Sequence, residues 1–358
     1  MRYGYWMPVF GGWLRNVPDE GMEATWDFVR DLAVRAEQIG YDLTLIAELN
    51  LNDIKGIEAP ALDAWSTAAA IAAVTRTQEL MVAVRPNFHH PALFAKAGAN
   101  IDRISGGRLS LNVVSSWWAD EARQYGLPFD QHDDRYARTA EWLEVVKGLW
   151  REERFNFQGQ FYRTEGAICS PKPLRAPVLY AGGESETAKA MIASRCDAYV
   201  MHGDPAPVIA TKIADMRARR ERAGGAPMTF GMAAYAIVRD SEAEAQRELA
   251  RILEVKDLPP GFANFDQWLS GTQLERELKL QEYSVSNRGL RPNLVGTPEQ
   301  LRERIAEYEA AGLDLLLLQM SPQKEEMERF ADQVIGQPSA LRQAPAMAKG
   351  VSPTAPSA

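Results

Sequence analysis

The feature that most constrains this chain is an alternation of short apolar runs with segments of helical period. The runs RYGYWMPV, YDLTLIAE, LMVAVRP, RLSLNVVS, APVLYAGG, CDAYVMHG, TFGMAAYAIVRD and LDLLLLQM follow one another along 358 residues. They are apolar almost throughout rather than strictly alternating, as in parallel strands covered on both faces. Between the first two, Trp26, Val29, Leu32, Ala33, Ala36 and Ile39 fall at spacings of three and one, leaving one apolar helical stripe that Gly40 ends. Eight strand–helix units predict an α/β fold, a (β/α)8 TIM barrel with insertions. The rival is a doubly wound open sheet, whose G-x-G-x-x-G turn is absent, since PVFGGWLRN follows the first strand.

Residues 1–335 are expected to form a single barrel domain, interrupted at about 154–175 and 255–296. The first insertion, containing FNFQGQFYRTEGAICSPKPLR, has the aromatic and turn composition of a small hairpin. The second is long enough to serve as an active-site lid or an oligomer contact. Residues 336–358 are rich in Pro, Ala and Ser and are expected to be a flexible tail. With 46% hydrophobic residues the chain can bury a large core, and its net charge of −8 disfavours a nucleic-acid partner. The most apolar windows, STAAAIAAVT and LDLLLLQM, fall short of the roughly 20 residues a bilayer requires, so no membrane partner is expected. No export signal is read in MRYGYWMPVFGG, and Cys169 and Cys196 are expected to be buried thiols, so the expected location is cytoplasmic.

In a parallel barrel the carboxyl ends of the strands share one face. That brings Phe10, Glu48, Asn50, Arg85, Asn87, Asn112, Ser115, Trp117, His202, Tyr235 and Ser321 toward one rim. None forms a catalytic triad by spacing, and His89, His90, His132 and His202 lack the spacing of a metal site, so no metal is expected. In VLYAGGESETAKAMIA, Gly182 and Gly183 end a strand, and Ser185 opens a helix whose free amides can hold an anion. The same residues also suit an ordinary turn and cap. In HDDRYART, Asp133 or Asp134 is the expected helix cap, with Arg135 and Tyr136 in the first turn. A cation and a phenol there suit a phosphate; a solvated arginine and a packed tyrosine are the alternative.

Five stretches in order, IDRISGGRLSLNVVSSWW, HDDRYART, FNFQGQFY, SPKPLRAPVLYAGGESETA and LVGTPEQLRERIAEYEAAGLDLLLL, carry a family resemblance. Over residues 2–335 the chain resembles the bacterial-luciferase-like flavin monooxygenases, and within them the two-component group acting on alkanesulfonates, dimethyl sulfone and pyrimidines. The resemblance implies reduced FMN (FMNH2) at the top of the barrel, dioxygen as co-substrate, an NAD(P)H-dependent FMN reductase as partner, and a homodimer or homotetramer. It implies that Asn112 and Glu121 contact the flavin head or ribityl chain. Arg135, Tyr136 and Ser185, beside Gly183, would hold its phosphate, while Glu48, Leu49 and Ser115 line the flavin site. Trp117 would wall the pocket against water, with Trp118 as outer packing.

For an organosulfur substrate the implied reaction is oxygenation beside sulfur with C–S bond cleavage. Arg288 and Arg291 could close over an anionic substrate, Tyr235 could donate a hydrogen bond, and His202 could shuttle a proton. Each could equally be exposed or part of the pocket wall. Ala233, Tyr235 and Ser321 stand where the alkanesulfonate enzymes carry Arg, His and Tyr, which favours a neutral, dimethyl-sulfone-like substrate. Alternatives are oxygenation of a pyrimidine or other non-sulfur compound, and deazaflavin-dependent hydride transfer.

Overall fold

A computed structural model describes residues 1–254, 259–265, 282–285 and 288–336. Its strands are β1 (Arg2–Trp6), β2 (Leu43–Ile46), β3 (Glu79–Val84), β4 (Leu109–Val113), β5 (Phe155–Gln158), β6 (Arg163–Ala167), β7 (Val178–Ala181), β8 (Ala198–Met201), β9 (Thr229–Val238), β10 (Leu294–Gly296) and β11 (Leu315–Gln319). Helices α1 (Trp26–Gln38), α2 (Ala64–Val74), α3 (Pro91–Ser105), α4 (Ala119–Gln124), α5 (His132–Arg151), α6 (Glu186–Arg195), α7 (Ala206–Arg222), α8 (Glu242–Leu253), α9 (Pro298–Ala310) and α10 (Gln323–Phe330) lie between and after them.

The parallel order β11-β1-β2-β3-β4-β7-β8 is closed by β9, which pairs with both β8 and β11, giving an eight-stranded barrel. Each barrel strand coincides with one of the apolar runs. Leu43, Leu45, Met81, Tyr180, Ala198, Leu315 and Leu317 fill the barrel interior. Gly4 makes room for them, since a Cβ there would lie 2.8 Å from Leu43 Cγ. The opposite faces of the strands pack beneath the helices.

Helix α1 shows how the sequence sets that outer layer. Thr25 accepts from the Phe28 amide as its cap, and Val29, Leu32, Ala33 and Ala36 form the buried face. Trp26, at the first turn, stays 37% exposed because the stripe has not yet reached the sheet. In α5 the flanking residue is Gln131 rather than Asp133 or Asp134. Both aspartates instead lie in the first turn, where their charge suits the helix dipole.

Within the first insertion β5 and β6 form an antiparallel pair, with Phe155 packed where Gly148 of α5 lacks a side chain. Most of the segment expected as a lid (255–258, 266–281 and 286–287) lies outside the described residues, as does the expected tail beyond Gly336. Within the second insertion β10 runs parallel to the end of β9, and Val285 bridges to Leu14. Cys169 and Cys196 are buried and unpaired. Among the described residues no helix is long and apolar enough to cross a membrane.

Replacing Leu317 with Ala should lower unfolding stability by about 2–5 kcal/mol, because the fully buried barrel interior cannot collapse around the cavity. Urea unfolding followed by circular dichroism measures this; a loss well under 1 kcal/mol would contradict the packing described.

Candidate active site

A cavity of about 290 Å³ sits at the carboxyl ends of the strands. Trp6 and Phe10 reach it from β1 and its loop, Glu48 and Leu49 from the end of β2, and Arg85 from β3. Asn112, Ser115 and Trp117 enter from β4 and the chain after it, Arg135 and Tyr136 from α5, Gly183 and Ser185 from the β7–α6 turn, His202 from β8, and Arg288 from the chain before β10.

One end gathers a helix N-terminus, a phenol and an arginine. Ser185, itself in the cavity lining, caps α6 by accepting from the Ala188 amide, so the N-terminus of this helix adjoins the cavity. Gly183 keeps that approach narrow: a Cβ there would lie 2.6 Å from Ala188 Cβ and 3.1 Å from Tyr136 Oη. Burial raises the Tyr136 pKa, opposed by Arg135 and Ser185. Arg135 stacks over Phe129 at 4.6 Å, and burial lowers its pKa. Among the described residues its Nε is buried without a partner and no carboxylate lies within ion-pair distance of it.

The middle of the cavity is held by a buried ion network. Arg85 donates through Nη1 to Glu121 Oε2, and through Nη2 to Glu121 Oε1 at 3.0 Å. Glu121 also accepts from the Asn50 amide at 2.5 Å. Glu48 accepts from the Arg85 amide at 2.7 Å and from Trp65 Nε1 at 3.1 Å, and lies 2.5 Å from His89 Nε2. The carboxylates thus fix the ends of β2 and β3 relative to α4.

At the other end aromatic rings dominate. Trp6 and Trp13 meet edge to face, and Arg15, paired with Asp53 at 2.5 Å, covers the Tyr283 ring at 4.0 Å. Glu184 accepts from Arg288 and from Lys212 Nζ at 2.9 Å, and Lys212 also reaches Asp204 at 2.8 Å. Burial pushes the Glu184 carboxyl up, but His202, Arg288 and Lys212 outweigh it and bring it down to about 2. Burial and Arg288 bring His202 down to about 4, so its imidazole is neutral at physiological pH.

Of the residues expected at the site, Glu48, Leu49, Asn112, Ser115, Trp117, Arg135, Tyr136, Gly183, Ser185, His202 and Arg288 line this one cavity. Glu121, Tyr235 and Arg291 lie outside the lining. Glu121 is wholly buried, with its oxygens occupied by Arg85 and Asn50. Tyr235 is buried in the core, which raises its pKa. Arg291 points to Asp204 at 3.4 Å. Trp118 is buried and stacks behind Trp117 with centroids 5.3 Å apart. Sequence reasoning did not single out Arg15, Asp53, Trp13 or Tyr283, which come from aperiodic loops and became visible only through their burial together.

The profile of the luciferase-like monooxygenase family matches residues 1–315. The chain is 32% identical over 355 residues to an FMNH2-dependent dimethylsulfone monooxygenase of Pseudomonas putida, covering 94% of each chain. It is 31% identical over 353 residues to the enzyme so named from Pseudomonas fluorescens (strain Pf0-1), covering 94% of this chain and 93% of that one. The fold superimposes on a long-chain alkane monooxygenase with a TM-score of 0.79 at 18% identity, covering 94% of this chain and 90% of that one.

The buried charges at the cavity generate an acid-stability prediction. A group whose pKa is lowered on folding takes up its proton first in the unfolded chain, so its contribution is complete above the unfolded pKa and lost as pH falls. For His202 the loss runs from 6.5 to about 4, and for Glu184 from 4.5 to about 2. Urea midpoints should therefore fall as pH drops from 6.5 to 4, and His202→Gln should flatten that fall. Parallel curves for the two proteins would contradict the environment assigned to His202.

Proposed function

The chain belongs to the luciferase-like monooxygenase family, and we propose on that basis that its cavity binds reduced FMN and serves to oxygenate, with dioxygen, a small neutral organosulfur compound of the dimethyl sulfone type. The observation that carries this reading is the distribution of charge around the cavity. Arg15, Arg85 and Arg288 each have a carboxylate partner, whereas Arg135 has none among the described residues. Arg135 is thus the lining arginine whose charge has no carboxylate counterpart among the described residues, while the charges of the other three are compensated, which favours an uncharged molecule at the aromatic end.

The residues present fit FMN. Its phosphate would rest on the α6 amides beside Ser185, with the unpartnered Arg135 Nε and the Tyr136 phenol as further donors. Gly182 and Gly183 keep the backbone bare where a Cβ would meet Val200 O at 2.7 Å and Ala188 Cβ at 2.6 Å. Glu48, Leu49, Asn112 and Ser115 would flank the flat ring system and ribityl chain. When bound, reduced FMN supplies the electrons that activate dioxygen.

The chain's own residues would orient the reactants and keep the site dry. Trp117, braced by Trp118, presents a broad apolar wall between the cavity and solvent. Ala233 brings no charge to the lining, and Trp6 Nε1, buried without a partner among the described residues, offers a neutral donor to a sulfonyl oxygen. With dimethyl sulfone, oxygen insertion beside sulfur and loss of the C–S bond would give formaldehyde and methanesulfinate. The second oxygen atom leaves as water with the two hydrogens of FMNH2. The proposal includes a separate NAD(P)H-dependent FMN reductase, a cytoplasmic location, and a homodimer or homotetramer.

The deciding experiment supplies reductase, NADH, FMN and air with a panel of sulfones, alkanesulfonates and pyrimidines, scoring aldehyde, sulfinate, sulfite and peroxide. Sulfone-dependent formaldehyde and sulfinate are expected; tight coupling to a pyrimidine or a sulfonate instead would overturn the substrate assignment. Arg135→Ala should weaken FMN binding about ten- to a hundredfold by flavin fluorescence titration, the range for losing a charge-assisted hydrogen bond. Unchanged affinity would remove the phosphate site from this end of the cavity.

A further inference from the structure

We infer that Arg288 holds His202 in the neutral tautomer with its proton on Nε2, making that N–H a fixed hydrogen-bond donor in the wall of the cavity. His202 follows β8 directly and lines the cavity. Its Nδ1 lies 2.5 Å from Arg288 Nη2 and 3.2 Å from Arg288 Nε. A guanidinium carries only donors and keeps its charge, so two N–H groups converge on one imidazole nitrogen. That nitrogen must present its lone pair, and a neutral ring must then carry its proton on Nε2. Nε2 has no protein partner among the described residues, and the ring belongs to the cavity wall.

The surroundings keep Arg288 in place. Its Nη2 also donates to Glu184, which accepts from Lys212; Lys212 reaches Asp204, and Arg291 closes the chain at 3.4 Å from Asp204. The charged groups facing His202 are thus Arg288 and Lys212 on one side of the balance, and Glu184 and Asp204 on the other. The carboxylates are occupied by the cations, and the hydrogen bonds of the imidazole are with Arg288. Burial and Arg288 both hold the ring neutral. The backbone is fitted to this contact: a Cβ on Gly203 would lie 2.6 Å from Arg288 O and 2.6 Å from Pro292 Cδ. Arg288 itself takes a left-handed φ of 54°, a conformation that a non-glycine residue keeps only when its contacts over-determine it.

The consequence is chemical selectivity. A neutral imidazole with Nδ1 occupied cannot take a proton from substrate, so His202 acts as a donor and not as a base. It would favour a strong acceptor such as a sulfonyl oxygen over a thioether sulfur, and Arg288 would be its positioning residue. The identity of that acceptor rests on the functional reading above; the tautomer does not.

The test uses the full chain with 15N-labelled histidine. In the wild type, the His202 nitrogen shifts at neutral pH should show Nε2 protonated and Nδ1 bare. In Arg288→Met the preference should be lost and the imidazole pKa should rise toward 6.5. A wild-type ring protonated on Nδ1 or on both nitrogens overturns the inference even if the variant does not fold, as does an unchanged tautomer and pKa in a folded variant. In turnover, His202→Phe should raise KM for dimethyl sulfone about five- to tenfold with kcat nearly unchanged, and His202→Gln, which keeps an N–H donor, should recover most of the loss. Equal KM values in all three proteins would overturn the donor role. A wild-type enzyme that oxygenates no sulfone sinks the functional reading, while the nitrogen shifts still decide the tautomer.

Discussion

The closure of the parallel ladder through β9 is the constraint on which the rest depends. Val200 of β8 stands opposite Gly231, and Ala233 stands opposite Leu317 of β11, so one strand joins the last two edges. Only in a closed ring do Glu48, after β2, and His202, after β8, face the same space. The strand then continues beyond the ring, where Ala236, Ile237 and Val238 pair with Leu294, Val295 and Gly296. The Tyr235 amide donates to Gly289 O at 2.7 Å. These bonds draw the chain from Arg288 to Asn293 back across the barrel mouth, so the position of Arg288 is a consequence of β9 being longer than its neighbours.

The ring is expensive to line with charge. A buried ion pair seldom outperforms well-packed apolar side chains, yet removing one partner leaves an uncompensated charge. Arg85 with Glu121, Arg15 with Asp53 and Arg288 with Glu184 are each at most 7% exposed at the side chain. Such pairs fix geometry better than they add stability. Asp53 ties the chain after β1 to that after β2, Glu121 on α4 ties the end of β3 to the chain after β4, and Glu184 ties the chain after β7 to that before β10. Arg135 is outside this arrangement: it is partly exposed, and its buried Nε has no partner among the described residues.

The fold was legible because burial on both faces of a strand leaves an unmistakable run of apolar residues, and the helix stripes phase themselves against it. The grouping of residues at one end of the cavity was legible too: Ser185 opens a helix after the Gly182–Gly183 pair, and Arg135 and Tyr136 fall in the first turn of another. Pattern could not reveal how far each rim residue reaches. Glu121 and Arg85 read as equally polar, but only Arg85 lines the cavity, because α4 buries the carboxylate behind it. Tyr235 reads as a strand-end residue, yet β9 continues to Val238 and the Tyr235 amide bonds the chain crossing at Gly289. Arg15 and Tyr283 are 268 positions apart, in segments with no period, so nothing local marks them as neighbours.

The paired tryptophans show how local backbone strain can serve such a rim. Successive residues of an extended strand point to opposite sides, and two neighbours cannot ordinarily stack. Trp117 and Trp118 nevertheless lie with their rings 3° from parallel. Just before them Ser116 has a left-handed φ of 62°, which redirects the pair as a unit after Ser115 is anchored to Thr139 by a 2.9 Å hydrogen bond. A strained serine costs of order 1–3 kcal/mol, and burying Trp118 with its Nε1 unpartnered adds to that cost. Burial of one large aromatic side chain is worth about 1.5–3 kcal/mol, with a further ~0.5–1.5 kcal/mol for the ring pair, which is the same scale. The turn therefore stabilises the fold little, and its result is positional: one ring becomes a rigid backing that holds the other as the wall of the cavity.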